Sequence, residues 1–443
     1  MPLFTSGISR RRSPLTHRNG PSAKHQMIGS THPSEEDALL SRRQLSTRAG
    51  NRFHVSKAWI RSIFIGTIVL GLLLSALFDH RSSSTVHKSS SVGQTVAILD
   101  QNSDQKQSDT KSTTIRPGSI FLDTNGDPIN AHGGGFMFHD DVYYWYGEIK
   151  IGKTYTPPAN VNWGGSRVDL VGISCYSSQD LIHWESRGIV LPAVTDDPTH
   201  DLYVKGVAER PKVVYNSLTN KFVMWLHIDS MEYKRARSGV AESDSPVGPF
   251  TYIQSFRPND QMARDMTLFV DNKSTTAYLI TSSEDNAVMH VNELTSNYTS
   301  FTGKWKPIFQ GRYMEAPTIF QRNEKYYFIG SGCTAWKPNA ARSAVSTSSI
   351  WGPWTELGNP CRGEDADTTF HSQSTYVLPI SDGKGGEDRF MFAADRWNEK
   401  NLSDSRYMWL PIEFGAAEDE GNGGEEGPMI HWQDEWDVSK AWN

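Results

Sequence analysis

Four acidic residues of the 443-residue chain lie in or beside apolar stretches typical of β-strands. They are Glu148 in YYWYGE, Glu209 in VAERPKVVY, Asp265 in ARDMTLFV and Glu315 in RYMEAPTIF. A carboxylate in such surroundings is costly unless it is paired or does chemistry. An ion pair with a neighbouring arginine (Arg210, Arg264 or Arg312) is a sufficient explanation for any one of them. The set of four favours a site for general acid and base chemistry.

Short apolar and aromatic runs must position these carboxyl groups. Five recur, bounded by Gly, Asn, Asp or Lys and without a helical period: VYYWYGE from Val142, KFVMWLHID from Lys221, TAYLITSS from Thr276, KYYFIGSG from Lys325 and RFMFAADRW from Arg389. The pattern Ser-x-x-Gly-Pro-aromatic, from Ser245 and from Ser349, is typical of a turn that closes an outer strand. The sequence therefore predicts an all-β, five-bladed β-propeller, with a β-sandwich or a larger β array as the alternative. A propeller brings side chains from different inner strands together at one end of its channel.

Several of these motifs together resemble glycoside hydrolase family 43. MEAPTIF followed by KYYFIGSG, with ERPKVVYN and RDMTLF, resembles the family, whereas AHGGGFMF with YYWYGE and SQST resembles its exo-β-1,3-galactanase branch. The similarity runs from about Ile115 to Phe414. It implies a five-bladed propeller and hydrolysis with inversion at the anomeric carbon.

The resemblance implies that Glu315, which precedes Ala-Pro, is the general acid. A general acid must stay protonated near its working pH, so a dry site or a nearby carboxylate must raise its pKa. The family's second acid, which tunes that pKa and orients the general acid, falls on Asp265. Because alternate residues of a strand face opposite sides, Arg264 would point away from it.

The family's third carboxylate, the general-base Asp of a first-blade Ala-Asp-Pro, is missing. Ala131-His132-Gly133 stands in its place, and Asp127-Pro128 lies in an Asn-Gly-Asp-Pro context that is ordinary turn chemistry. The galactanase branch shows the same loss, and there a Gln in a Ser-Gln-Ser/Thr motif holds the attacking water, a role that falls on Gln373. A neutral amide is a poor base, so Glu209 is the competing candidate.

The resemblance also implies substrate contacts, with polar groups and one aromatic ring suited to galactose: Glu148, Glu209, Tyr233, Asn286 and Thr334. Four tryptophans are candidate sugar platforms, although a Trp in a propeller more often packs between blades: Trp145, Trp336, Trp397 and Trp409. His132 is predicted to be a core histidine rather than an ion ligand. No cofactor and no metal are expected.

Residues 1–114 differ in composition from the rest. The run from Ser62 to Phe78 is uncharged over seventeen residues, close to the roughly 20 that span a bilayer. We therefore predict a signal anchor over residues 59–80, with a buried helix or a cleaved signal peptide as alternatives. Residues 1–61 carry eleven Lys or Arg against three acids, which predicts a cytoplasmic tail (1–58). Residues 81–114, without aromatics, predict a disordered stem before a catalytic domain at 115–443.

Charge and cysteine content limit the partners. Beyond residue 61 the chain has 33 basic against 47 acidic residues, a net charge of −14 that argues against nucleic-acid, nucleotide or polyanion partners. The expected partners are a β-1,3-linked galactan or arabinogalactan glycan and, through residues 59–80, the lipid bilayer. Sequons at Asn272, Asn297 and Asn401 fit a lumenal domain of a single-pass type II protein in the Golgi or another endomembrane.

The chain has three cysteines, Cys175, Cys333 and Cys361, which allow one disulfide bridge. We predict it between Cys333 and Cys361.

Other functions stay open at this point. Asp365-Ala366-Asp367 could hold a nucleotide-bound metal in a glycosyltransferase, but no strand–helix alternation follows residue 115. The missing base permits a galactan-binding protein without activity. α-L-Arabinofuranosidase or β-xylosidase activity, common in the wider family, is disfavoured by the absent Asp. The expected function is exo-acting release of galactose from β-1,3-galactan.

Overall fold

The computed structural model describes residues 113–157, 165–380, 389–416 and 424–441. The predicted cytoplasmic tail, the signal anchor and all but the end of the stem lie outside the described residues. Within the described part the chain forms 23 β-strands and three short 3-10 helices (Pro258–Asp260, Ala366–Thr368 and Leu402–Asp404). None of the helices in that part is long and apolar enough to cross a membrane.

After a short strand β1 (Thr114–Ile115), antiparallel sheets follow one another as blades. Blade 1 contains β2 (His132–His139), β3 (Val142–Glu148), β4 (Gly172–Ser178) and β5 (Glu185–Pro192). Blade 2 contains β6 (Val207–Asn216), β7 (Lys221–Asp229), β8 (Arg237–Ser243) and β9 (Thr251–Phe256). Blade 3 contains β10 (Met266–Val270), β11 (Ala277–Ser283), β12 (Val288–Leu294) and β13 (Phe301–Ile308).

Blade 4 contains β14 (Met314–Arg322), β15 (Lys325–Gly332), β16 (Arg342–Ser346) and β17 (Thr355–Gly358). Blade 5 contains β18 (Cys361–Arg362), β19 (Gln373–Ile380), β20 (Arg389–Arg396), β21 (Arg406–Ala416) and β22 (Glu426–His431). In this last blade β18 lies on the outer edge, parallel to β22. The predicted five-bladed β-propeller is confirmed.

The five apolar runs of the sequence are the second strands of the five blades, β3, β7, β11, β15 and β20. Such a strand is covered on both faces by the neighbouring blades, so it reads as a nearly continuous apolar stretch. Apolar clusters fill the space between adjacent blades, and the cluster between blades 5 and 1 holds Trp145, Trp184 and Trp409. The outer strands are more exposed, as in β13.

The ring is closed beside this tryptophan-rich cluster by the two ends of the described domain. The short strand β1 pairs with β23 (Trp436–Asp437), with Ile115 opposite Trp436. The indole Nε1 of Trp436 donates a hydrogen bond to the carbonyl of Trp409 at 2.7 Å. The two terminal segments are thereby fixed to the seam between blades 5 and 1.

The innermost strand of four blades changes register near its start. The shifts lie between His132 and Gly135 in β2, Glu209 and Lys212 in β6, Glu315 and Thr318 in β14, and Ser374 and Tyr376 in β19. Gly133, Arg210 and Ala316 have positive φ at the equivalent place, directly after His132, Glu209 and Glu315. β-Bulges re-aim side chains and are common beside active sites. Here they occur at one end of the channel.

The cysteine prediction is wrong, because Cys175, Cys333 and Cys361 are all free. Cys361 lies in the outermost strand of blade 5, within the apolar cluster between blades 4 and 5. Cys333 follows β15 at the channel and faces the central cavity.

The predictions of turns at Asp127-Pro128 and at the two Ser-x-x-Gly-Pro motifs are confirmed. Asp127 belongs to an exposed turn closed by bonds to Asp123, and each Ser-x-x-Gly-Pro turn precedes the fourth strand of its blade.

Candidate active site

A cavity of about 830 Å³ lies at the channel end where the bulged strands begin. All eight residues predicted for the site line this cavity: Glu148, Glu209, Tyr233, Asp265, Asn286, Glu315, Thr334 and Gln373. They come from all five blades, so only the closed ring brings them together. The bulges after Glu209 and Glu315 turn these two carboxyl groups towards the channel axis.

Glu315 is partly buried at the start of β14. Its Oε1 accepts a hydrogen bond from Asn286 Nδ2 at 2.7 Å. Burial, together with the neighbouring charge of Asp265, raises the pKa of the Glu315 carboxyl to about 8. Asp265 is itself held in place, since its Oδ2 accepts from the amide of Ala316 (3.0 Å) and pairs with Arg210 Nη2 (3.0 Å). Glu315 is therefore a neutral carboxyl at pH 7 and can donate a proton.

The amide of Gln373 has a fixed orientation. Its Oε1 accepts from Arg210 Nη2 at 2.6 Å and from Trp397 Nε1 at 3.2 Å, and its Nε2 donates to Ser331 Oγ at 3.0 Å. A flipped amide would set its NH₂ group against two donors that cannot accept. Both lone pairs of the amide oxygen are therefore engaged, and Gln373 offers no free acceptor in this state.

Two further carboxyl groups share one buried lysine. Lys150 Nζ lies 2.8 Å from Glu148 Oε2 and 3.5 Å from Glu209 Oε1. Burial raises the pKa of Glu148 to about 8, although Lys150 opposes the rise. Burial also disfavours the charged form of Glu209, but Lys150 and His227 outweigh it and lower that pKa to about 2. Glu209 therefore ionises at a lower pH than Glu148.

The buried histidine His227 lies between the carboxylates of Glu209 and Asp229 and carries a positive charge. His227 Nε2 bonds Asp229 Oδ2 at 3.0 Å, and its Nδ1 lies 3.5 Å from Glu209 Oε2. Burial works against the imidazolium, but these two carboxylates raise the pKa of His227 to about 9. The hydroxyl of Tyr233 donates to Glu209 Oε1 at 2.8 Å. Glu209 is thus held by three groups and has little freedom to turn.

Among the described residues, Glu209, His227 and Asp265 form the one group of acids and histidines close enough to share a metal ion, with ligand atoms within 4.8 Å of one another. Positively charged side chains already lie beside or within this group of three residues. Lys150 approaches Glu209, Arg210 pairs with Asp265, and His227 is protonated. These charges disfavour a cation there.

Lys150 and His227 are site residues that the sequence did not predict, and Arg210 was predicted only as an ion-pair partner. The available signal was a charged residue inside or next to an apolar run, as in Gly-Glu-Ile-Lys and Trp-Leu-His-Ile-Asp. The expectation for Arg264 is wrong, because it lines the cavity together with Asp265 and bonds Asp285 at 2.8 Å. Both residues precede β10, so strand alternation does not apply to them.

The aromatic and histidine candidates divide by location. Trp336 and Trp397 line the cavity, edge to face at 5.0 Å between ring centroids. Trp145 and Trp409 are buried between blades 5 and 1. His132 is a core histidine, as predicted, with Nδ1 3.0 Å from Asp395 Oδ1. The Asp365-Ala366-Asp367 motif lies away from the cavity lining, where Asp365 pairs with His371 at 3.1 Å.

Comparison with known proteins agrees with this geometry. No curated protein matches the chain. Among solved structures, the chain is similar to a GH43 β-1,3-galactosidase with galactodeoxynojirimycin (40% identity over 73% of this chain and 100% of that one, TM-score 0.63). It is also similar to exo-β-1,3-galactanases from Phanerochaete chrysosporium (31%, 73% and 68%, TM-score 0.61) and Clostridium thermocellum (35%, 74% and 67%, TM-score 0.61). Residues 136–375 match the model of glycosyl hydrolases family 43. The chain belongs to glycosyl hydrolase family 43.

Proposed function

We propose that the chain is an inverting exo-hydrolase that releases galactose from β-1,3-galactan, the backbone of arabinogalactan-type glycans. The observation that carries the proposal is the state of Glu315, a partly buried carboxyl whose pKa is raised to about 8 at the wall of a cavity large enough for sugars. Similarity to solved β-1,3-galactosidases and exo-β-1,3-galactanases supports galactan as the substrate.

Glu315 protonates the glycosidic oxygen as the bond to the leaving sugar breaks. Asn286, at 2.7 Å, orients its carboxyl. Asp265 adds to the effect of burial on the pKa of Glu315. Arg210 holds the carboxylate of Asp265 in place. Together, Asn286, Asp265 and Arg210 keep the carboxyl of Glu315 protonated and oriented towards the leaving-group oxygen.

The attacking water has two candidate partners, and neither is a strong base. The oxygen of Gln373 is occupied by Arg210 and Trp397, so this residue can accept a hydrogen bond from water only after one of these bonds is exchanged. Glu209 is a carboxylate, but its lowered pKa of about 2 makes it a weak proton acceptor. The transition state is oxocarbenium-like, so the positive charge that develops at the anomeric carbon favours attack by water. We therefore assign Gln373 to placing the water and Glu209 to accepting its proton as the bond forms.

The remaining predicted residues form the proposed pocket for the galactose ring. Glu148 and Tyr233 present hydroxyl-binding groups from blades 1 and 2, and Thr334 does so from the loop after β15. The raised pKa of Glu148 favours its protonated form, which can both donate and accept a hydrogen bond. Trp336 and Trp397 supply the apolar surface suited to a sugar face.

We also propose that the protein is a single-pass type II membrane protein of the Golgi or another endomembrane, with residues 59–80 as the anchor and the propeller in the lumen. The basic composition of residues 1–61 supports this orientation. The three sequon asparagines, Asn272, Asn297 and Asn401, are all exposed on the propeller, where a glycan could be attached.

The decisive experiment incubates residues 113–443 with β-1,3-galactobiose, with xylan and with arabinan, and identifies the released sugar. We expect galactose from galactobiose only, initially as the α-anomer when followed by NMR. Release of xylose or arabinose without galactose would contradict the proposal. Binding of galactobiose without any release would instead favour the non-catalytic galactan-binding alternative.

A further inference from the structure

Three basic side chains surround one tyrosine beside the cavity, a cluster that we name the basic rim: Lys153, Arg167 and Lys205. The ring centroid of Tyr155 lies 4.9 Å from Arg167 Cζ, 5.3 Å from Lys153 Nζ and 5.6 Å from Lys205 Nζ. Among the described residues, the carboxylate that pairs with the basic rim is Asp169, 2.6 Å from Lys205 Nζ. The basic rim thus carries two positive charges in excess, on a domain that is otherwise acidic.

Of the three side chains in the basic rim, Arg167 has the weakest hydrogen-bond acceptors around its guanidinium group. Its Nη1 lies 3.4 Å from Asp169 Oδ1, a long contact, and its Nη2 lies 2.8 Å from the sulfur of Met231. A thioether is a weak acceptor, and a guanidinium has five donors to place. The side chain is 16% exposed, so a ligand in solution can reach its unpaired donors. A guanidinium in this state favours an anion of matching planar shape, such as a carboxylate.

The basic rim borders the cavity on the side of blades 1 and 2. The backbone of Arg167 exchanges hydrogen bonds with Tyr155 (2.7 and 3.0 Å), and Gly165, two residues earlier, lines the cavity. Met231, which Arg167 contacts, lies two residues from the cavity residue Tyr233. Gly165 also lies against Trp336, in the loop after β15, since a Cβ on this glycine would meet the indole Nε1 at 2.0 Å. A substituent of the sugar in the pocket can therefore reach the basic rim along this part of the cavity wall.

We propose that the basic rim is a subsite for the carboxylate of a uronic acid that is linked as a branch to the galactose being released. The inference rests on the proposed function, since it takes that galactose to occupy the pocket. Arg167 binds the carboxylate through its free donors, and Lys153 and Lys205 add long-range attraction. The enzyme then favours acidic branched galactans over neutral ones of the same shape.

The test compares two β-1,3-galacto-oligosaccharides that differ in one group. Both carry a glucuronic acid branch on the non-reducing terminal galactose, and in one of them the carboxyl has been reduced to a primary alcohol. We expect the wild-type kcat/KM to be about fivefold higher for the acid, a typical size for one charge-assisted contact. The preference should disappear in Arg167→Gln, shrink in Lys153→Gln, and weaken in 0.5 M NaCl because salt screens charges.

Arg116→Gln is the matched control, since it removes an exposed arginine that pairs with Glu435 away from the cavity; it should keep the preference. Equal kcat/KM for the two substrates in the wild type, or an unchanged preference in Arg167→Gln, overturns the subsite. If galactobiose is hydrolysed but neither branched oligosaccharide is, the subsite is overturned; if unbranched β-1,3-galactobiose is not hydrolysed either, the proposed function fails instead. The two equilibrium dissociation constants, measured for the wild type and Arg167→Gln, then decide the subsite by the same comparison.

Discussion

At the scale of single residues, the cavity keeps similar carboxyl groups in different protonation states. Burial acts on Glu148, Glu209 and Glu315 alike and disfavours ionisation in each. The outcome is decided by neighbours: Glu209 has Lys150 and His227 beside it and ionises, whereas Glu315 has the carboxylate of Asp265 and stays neutral. Carboxyl groups whose pKa values are pushed apart in this way mark the acid and the base of a site.

Replacement of the proton donor gives the most direct prediction. Glu315→Gln keeps the shape of the side chain but has no acidic proton, so kcat for β-1,3-galactobiose should fall by about 10²–10⁴-fold. The dissociation constant for the disaccharide should change little, because the amide can still bond to Asn286. Steady-state kinetics and calorimetric binding check the two parts. Glu413→Gln, on an exposed glutamate of β21, is the control and should retain full activity.

The pH dependence follows from the same residue. Since the folded-state pKa of Glu315 is raised to about 8, the protonated form prevails below that pH and is lost above it. The rate kcat/KM should therefore be maintained towards pH 7 and fall as pH rises through about 8. Asp265→Asn removes the charge that adds to this shift, so the alkaline limb should move to lower pH. An alkaline limb that stays in place in Asp265→Asn would separate Asp265 from the tuning of the acid.

At the scale of elements, the inner strands carry the chemistry because they are irregular. The Gly133-Gly134-Gly135 run illustrates the reason, since a Cβ at these positions would meet Glu148 Oε1 at 2.8 Å, the Tyr146 carbonyl oxygen at 2.0 Å and Lys212 Cδ at 2.3 Å. The glycines let β2 approach β3 and leave room for the buried side chain of Lys212. The site therefore depends on a backbone that no larger residue fits.

Gly134→Ala should disturb both the fold and the site. Its Cβ would press on the backbone of Tyr146, which cannot turn away, and we expect a loss of about 1–3 kcal/mol in the free energy of unfolding together with a lower kcat. The matched control is Gly415→Ala, whose Cβ would meet the flexible Met429 Cε at 2.5 Å. Urea unfolding and galactobiose hydrolysis check both variants. Equal losses in the two would show that the bulge in β2 has no special role.

The sequence predicted the second strands well and the connections between blades less well. VYYWYGE, KFVMWLHID and KYYFIGSG coincide with β3, β7 and β15, because burial on both faces produces an apolar run that composition alone can detect. The placing of Lys150 against Glu209, and of Arg210 against Gln373, was not predictable, because these contacts join different blades. Family motifs indicated which residues face the cavity, whereas burial and charge depend on contacts that exist only in the folded chain.

At the scale of the whole molecule, closure of the ring is the remaining requirement, since a site built from all five blades exists only when the ring is shut. The seam between blades 5 and 1 is filled by aromatic rings, with Trp145 and Trp409 at 4.7 Å between centroids. The terminal strands β1 and β23 cover this seam and fix the two ends of the domain together. Stability and activity should therefore respond together to damage at this position, although it is remote from Glu315.

Trp436→Ala tests this dependence. Trp436 is 4% exposed and bonds the carbonyl of Trp409, so its loss leaves a cavity at the seam and should lower the free energy of unfolding by about 3–5 kcal/mol. Trp432, five residues before β23 ends, is 37% exposed, and Trp432→Ala should cost less than about 1 kcal/mol. Thermal unfolding of residues 113–443, followed together with galactobiose hydrolysis, distinguishes the two. If Trp436→Ala unfolds at the wild-type temperature, the terminal strands do not stabilise the closed ring, and the geometry of the cavity must be maintained by the blades alone.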